Sequence, residues 1–245
     1  MSVIISAVNN STPMSGKIFH DLIIECWRNL IGWYVKNCRY WEVLSKLSEC
    51  GRRKKVLDLA YGLWGAVWHE ADLILYFAHR LLMLLESKGI EMYLHINYKL
   101  KPSNFKLISR THQRILSTVE VLRHRLGFKR NWYPELDLII TEEEFPFTYC
   151  MEFKYYHYLP GSWDAVKDLQ RKVLILKTLR ECGVCNEIAL LVLDDAICRR
   201  SEELCKGIRD LVREASNDLL ALTYHISYDD LLRALHKLSN CKSQV

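Results

Sequence analysis

Hydrophobic and polar positions follow two rhythms along this chain, and the change from one to the other falls near Gly89. Before it the pattern is helical. Ile18 to about Glu49 is rich in apolar and aromatic residues, with Trp27, Trp33 and Trp41 among them, and it breaks at Gly51, Arg52, Arg53, Lys54 and Lys55. A second helix is predicted from about Val56 to Ser87, ended by Gly89, because glycine just past the last turn is a usual stop signal. Glu91 to Leu100 then alternates and carries aromatic and β-branched residues, which predicts a strand. Pro102 and Ser103 open a third helix, Asn104 to Leu126, closed by Gly127.

The rest of the chain alternates between the two periods. Strands are predicted at Leu136–Thr141, Phe147–Tyr156, Glu187–Leu193 and Ala221–Ser227, and helices at Trp163–Glu181, Ser201–Ala215 and Tyr228–Leu238. Glu142, Glu143 and Glu144 form a polar turn between the first two of these strands. The expected class is α/β, a mixed central β-sheet flanked by helices on both faces. Residues 1–55 are expected to form a helical N-terminal extension and residues 56–245 the main domain.

Composition changes this picture little. Of 245 residues, 50% are hydrophobic and 26% charged, with a net charge of +5, an ordinary globular balance. No stretch reaches the roughly 20 apolar residues of a membrane span, and no signal peptide is visible at the N-terminus, so an intracellular location is the expectation. Nine cysteines, an odd number, are expected as reduced, buried thiols. Cys182 and Cys185 form a C-x-x-C followed by Cys198 and Cys205, which invites a zinc reading. The intervening apolar run Ile188–Leu193 would place the two pairs at opposite ends of a strand about 20 Å long, so core packing is the better account.

The chemistry-bearing segment is Pro134–Tyr158, a predicted hairpin. Its first strand carries Asp137 and its second carries Glu152 and Lys154. Alternation puts Glu152 and Lys154 on one face of the strand, with Phe153 and Tyr155 on the other. A charged pair among Met151, Phe153 and Tyr155 needs compensation, since unpaired buried charge costs several kcal/mol. Either a bound cation or a cross-strand salt bridge would provide it.

Asp137 on one strand and Glu152-Phe153-Lys154 on the next resemble the signature of the PD-(D/E)XK nuclease superfamily. The resemblance extends over the order of elements from Val56 to Leu193. It departs in one respect: Pro134 stands three residues before Asp137 rather than beside it. The resemblance implies a restriction-endonuclease-like αβββαβ core and a divalent-metal-dependent endonuclease acting on DNA. Within the superfamily the chain is most similar to archaeal Holliday-junction resolvases and nucleases of archaeal viruses, which implies branched DNA as substrate and a homodimer. It further implies that Asp137, Glu152 and the backbone carbonyl of Phe153 hold Mg²⁺ or Mn²⁺. The metal polarises the scissile phosphate and helps ionise the attacking water, and Lys154 orients that water or steadies charge on the phosphate.

Helical geometry adds Glu70 independently. Ala66, Val67, Leu73 and Ile74 lie three and four residues away and are all apolar, while Leu63, Phe77 and Leu81 continue the stripe. Glu70 is therefore expected on the core-facing side, needing a metal or a cationic partner, with Asp72, His79 and Glu86 on the wet side. The superfamily's additional glutamate on the helix before the first core strand matches Glu70 in place. Glu120 is the rival, but it lies off the apolar face of Ile108, Ile115, Val119, Leu122 and Leu126. On the following helix Ala165, Leu169, Val173, Leu176 and Leu179 make the buried stripe. Lys172 falls within it and Asp168 one turn earlier, an i, i+4 pair. Lys172, or by resemblance Gln170, is the candidate for a phosphate contact. His157, among Tyr155, Tyr156 and Tyr158, is a weak candidate.

Nine basic residues and a single acid, Glu120, lie between Lys99 and Arg130. On the third helix Lys106, Arg110, Arg114 and Arg125 share the face opposite the apolar stripe, and this ridge is the expected contact with nucleic-acid phosphates. Two alternatives remain open at this point. One is a nucleic-acid-binding protein that keeps the nuclease fold without cutting, and the other is an interaction protein built on the aromatic N-terminal helices.

Overall fold

The computed structural model describes residues 16–37, 70–101, 109–142, 146–156, 165–195 and 202–226. In chain order these form α1 (Gly16–Asn37), α2 (Glu70–Ser87), β1 (Tyr93–Lys99), α3 (Ser109–Leu126), β2 (Glu135–Thr141), β3 (Phe147–Tyr156), α4 (Ala165–Glu181), β4 (Cys185–Asp195), α5 (Glu202–Ala215) and β5 (Leu220–Ile226). The strands make one open mixed sheet in the order β1-β2-β3-β4-β5. The β1–β2 and β2–β3 pairs are antiparallel, whereas β3–β4 and β4–β5 are parallel. The α/β class with helices on both faces is thus observed. Residues 38–69 and 227–245 lie outside the described residues, and with them fall the proposed first turns of the second helix and the expected helix Tyr228–Leu238.

Topology follows from connection length. The polar turn after Thr141 is short enough only for a hairpin, while α4 and α5 fill the long crossovers that parallel neighbours require. β4 carries the apolar run Ile188–Leu193, every residue of it buried, as a strand covered on both faces must be. One face of the sheet is covered by α1 and α2, through Phe19, Leu22, Ile23, Phe77 and Leu81. The other is covered by α3, α4 and α5, through Leu122, Leu169, Leu176, Ile208 and Val212. Cys185 and Cys150 are buried on this second face and Cys182 is half-buried against it, all three as free thiols, so of the C-x-x-C pair only Cys185 is fully in the core. Cys198 and the side chain of Cys205 lie outside the described residues.

Helix ends obey the glycine signals. Gly89 and Gly127 adopt φ of 66°, and the next residue's N–H bonds back to the helix, Ile90 to Leu85 O and Phe128 to Arg123 O, both at 3.0 Å. That is the left-handed C-terminal cap that side chains with a Cβ disfavour. On α2 the described part of the predicted stripe is observed, with Leu73, Ile74, Phe77 and Leu81 buried and His79 and Glu86 exposed, while Asp72, expected on the wet side, is half-buried; Leu63, Ala66 and Val67 lie outside the described residues.

In β1 and β2 strand alternation breaks beside Asp137. In β1, Leu94 and Ile96 pack with the α1–α2 side, but Tyr98 and Leu100, two and four residues further on, pack with the α3–α4–α5 side. In β2, Leu138 and Ile140 face the first side and Leu136 the second. The ladder keeps register through the inversion, with Ile96 opposite Leu138 and Tyr98 opposite Leu136. Between them lies Asn97 at φ 51°, a left-handed conformation that asparagine tolerates better than most residues. Asn97 therefore turns both strands over where Asp137 stands. Replacing it tests this directly. Asn97→Gly should leave the urea midpoint unchanged or slightly higher, whereas Asn97→Val should cost about 1–2 kcal/mol, because a β-branched side chain resists positive φ.

Candidate active site

The β2–β3 ladder runs over Ile140↔Tyr149, Ile139↔Cys150 and Leu138↔Met151 and then stops. Beyond Met151, β3 continues against β4 alone as far as Tyr156. Its N–H groups at Phe153 and Tyr155 point to the side that β2 has left, and backbone donors away from water must be satisfied. Two carboxylates do this. Asp137 Oδ2 accepts from Phe153 N at 2.7 Å, and Glu70 Oε2 accepts from Tyr155 N at 2.8 Å. Asp137 reaches this position because the strand inversion at Asn97 directs its side chain along the sheet plane, neither up nor down.

Glu152 and Lys154 project together toward α4, as alternation predicts, while Phe153 packs on the α1–α2 side. Glu152 is 0% exposed. Its Oε2 accepts from Lys172 Nζ at 2.7 Å, and its Oε1 is buried with no hydrogen-bond partner among the described residues. Lys154 Nζ donates to Glu70 Oε1 at 3.2 Å, and Asp168 Oδ2 stands 3.9 Å from the same ammonium, an ion pair but too long for a hydrogen bond. Tyr155, on the opposite face, bonds through its hydroxyl to Tyr34 OH at 2.9 Å, which ties α1 to this stretch of β3.

These contacts change two of the expected pairings. Lys172 does lie in the buried stripe, yet its partner is Glu152 rather than Asp168, and Asp168 turns to Lys154. Glu70 is the first residue of α2 as described, half-buried rather than central to the core face, and both of its oxygens are engaged. Gln170 is exposed and makes none of these contacts. His157 and Tyr158 lie outside the described residues. Glu120 is exposed and paired with Arg123, so Glu70 and not Glu120 joins the cluster.

Four carboxylates (Glu70, Asp137, Glu152, Asp168) thus meet two ammoniums (Lys154, Lys172). The imbalance is visible in the titration of its members. Burial pushes the Glu152 carboxyl well above its usual range, and the charge of Asp137 adds to this against the pull of Lys172. Glu70 is also raised by burial, less so because Lys154 opposes it. For Lys154, burial works to lower the value, but Glu70, Asp137, Glu152 and Asp168 together hold it above the ordinary one. Lys154 is accordingly a hydrogen-bond donor and not a base. Among the described residues no three His, Cys, Asp or Glu side chains converge as a ready metal cage. The available oxygen donors are Asp137, Glu152 and the backbone beside them.

The basic ridge is only partly described. Lys106 and the side chain of Arg110 lie outside the described residues. Arg125 is committed to α4, donating to Thr178 Oγ1 and Glu181 Oε2 at 2.9 Å each. Arg114 is exposed and approaches Gly183 O at 3.5 Å. Sequence reasoning passed over Arg123 as one more surface base. It is buried and fixes the loop after α3, and its short distance from Trp132 and Tyr133 was the available signal.

Comparison with protein-family models, with curated proteins and with solved structures finds no match to this chain.

The raised Glu152 carboxyl has a signed consequence. A group whose pKa rises on folding stabilises the fold at pH below its unfolded value, here the ordinary 4.5, and that contribution is lost as pH rises through the folded value. Without divalent metal, wild type should lose stability relative to Glu152→Gln as the pH rises from about 4.5 toward about 8. Urea unfolding in EDTA across that range measures it. A wild type that gains on the variant as pH rises would contradict the assignment.

Proposed function

We propose that this chain is a divalent-metal-dependent nuclease built on a restriction-endonuclease-like core, with Asp137, Glu152 and Lys154 at its centre. The single observation that carries the reading is the fork between β2 and β3. It brings two carboxylates and an ammonium from adjacent strands together, with one oxygen of Glu152 buried and without a donor among the described residues. Element order adds support, since α2, β1, β2, β3, α4 and β4 follow the succession of the PD-(D/E)XK core, with α3 interposed between β1 and β2.

The donor set fits Mg²⁺ or Mn²⁺. Magnesium prefers oxygen, keeps several waters and is typically held by one or two carboxylates. Asp137 and Glu152, with the carbonyl of Phe153, are the residues that would hold it, and a divalent charge would offset the excess of carboxylates over ammoniums. When bound, the ion supplies Lewis acidity toward a phosphodiester.

The protein's own groups do the remainder. Glu152 would hold the ion as a carboxylate, and Lys172, which it now binds, would then be free to meet a phosphate oxygen. Glu70 and Asp168 keep Lys154 charged and in place, so that it donates to the developing charge on the phosphate. Glu70 is then a positioning residue for Lys154 and the Tyr155 backbone rather than a ligand. Water adds to phosphorus and loses a proton to solvent, the bond to the leaving oxygen breaks, and that oxygen takes a proton from solvent to leave as an alcohol.

Incubation with branched, single-stranded and duplex DNA in Mg²⁺ or Mn²⁺ tests the proposal. Wild type should cut at least one of these, and Asp137→Ala and Glu152→Ala should abolish cutting. Lys154→Ala should slow it by about 10²–10³-fold, the usual effect of removing one charge-stabilising donor. Cleavage that survives Asp137→Ala would remove the site assignment. Salt-sensitive binding with no cleavage in either metal would favour a non-cleaving nucleic-acid binder on this fold.

A further inference from the structure

We infer that the open groove where β1 ends and β2 begins seats the phosphates of a nucleic-acid strand on its way to the carboxylate site. The groove is lined by Lys99, Lys101, Lys129, Arg130, Asn131 and Tyr133 and encloses about 740 Å³. Four of these six side chains are cationic and none is acidic. Glu135, paired with Lys99 across the β1–β2 ladder, offsets one of the charges at most. Among the described residues no carboxylate pairs with Lys101, Lys129 or Arg130.

The wall of the groove is built in advance. Arg123, at the end of α3, is only 6% exposed. Its Nε donates to Trp132 O at 2.8 Å, its guanidinium covers one face of Tyr133 at 4.7 Å from the ring centre, and Glu120 neutralises it. The ring of Phe128 lies 4.3 Å from that of Trp132, and Trp132 N donates to Lys129 O at 3.0 Å to close a turn. Leu100 N then donates to Pro134 O at 2.9 Å, which fastens the loop to the end of β1. Lys129 and Arg130 are therefore presented by a fixed loop toward the strand-end lysines. Ordering that loop adds nothing to the cost of binding.

Location selects the ligand. Tyr133 precedes Asp137 by four residues, at most about 14 Å of chain, within about four nucleotide steps along one strand. Cations spaced along a concave path suit successive phosphates. A lipid surface would call for several apolar side chains that insert beside the charges, whereas the lining offers only the ring of Tyr133, one face of which Arg123 covers. The direction in which the strand runs rests on the nuclease reading, but the seat itself does not.

Binding measured in EDTA separates the two. Fluorescence anisotropy of labelled single-stranded and duplex oligonucleotides, taken across a salt series, should give a steep loss of affinity with salt for wild type. Lys129→Ala/Arg130→Ala, two exposed positions, should bind at least tenfold more weakly at low salt. The slope of log affinity against log salt should fall by about 1.4 for single strands or about 1.8 for duplex, the effect of two lost phosphate contacts. Asp137→Asn should keep the wild-type slope. Unchanged affinity and slope in a double variant with a wild-type circular dichroism spectrum would overturn the inference, even if the protein cleaves DNA. So would displacement of the oligonucleotide by phosphatidylserine vesicles as effective as that by unlabelled oligonucleotide. Loss of cleavage in Asp137→Asn with binding intact, or no cleavage at all with the predicted binding, leaves the groove standing as a nucleic-acid seat.

Discussion

A sheet that loses a strand partner part-way along must satisfy the backbone groups it exposes. In this fold β2 leaves β3 after Leu138 and Met151, and the N–H groups of Phe153 and Tyr155 would otherwise be orphaned at some cost. Carboxylates from Asp137 and Glu70 take them. That one requirement draws two acids to the open side of β3, while alternation along the same strand sets Glu152 and Lys154 toward α4. The cluster is thus a consequence of how the sheet divides, and α1, α2 and α4 are arranged around the division.

Electrostatics then decides what the cluster is suited to. Four acids and two ammoniums in a partly dry space do not balance, and burial raises the Glu152 carboxyl as a result. A purely structural network would be expected to close on itself, because a half-satisfied buried network is worse than an apolar one. Here one Glu152 oxygen finds no donor among the described residues, and the Asp137 carboxylate beside it raises the Glu152 carboxyl further by its charge and by hydrogen bonding. Stability withheld at such a point is what a site that takes up a cation has to offer, since a ligand that binds only the folded state returns it.

Much of this was legible in the residues. Period-two alternation gave the shared face of Glu152 and Lys154, the helical stripe of α4 placed Lys172 in the core, and the glycines after α2 and α3 marked their ends. Other features depend on non-local geometry. Nothing in the local pattern around Asn97 says that the strands invert there, and without the inversion Asp137 would be expected above or below the sheet. Lys172 and Asp168 are four apart on one helix, so intrahelical pairing was the natural expectation; the buried carboxyl of Glu152 competes for the lysine and wins. Likewise the basic residues near α3 looked like one helical ridge. Arg125 is instead spent on α4, and the bases around the end of β1 gather because Arg123 folds its loop against Trp132 and Tyr133.

Anomalous scattering from a crystal soaked in Mn²⁺ bears most directly on the fork between β2 and β3. A single peak is expected within about 2.0–2.3 Å of oxygens from both Asp137 and Glu152, with Lys172 displaced from Glu152. An empty fork at millimolar Mn²⁺, with the Glu152–Lys172 contact intact, would contradict it.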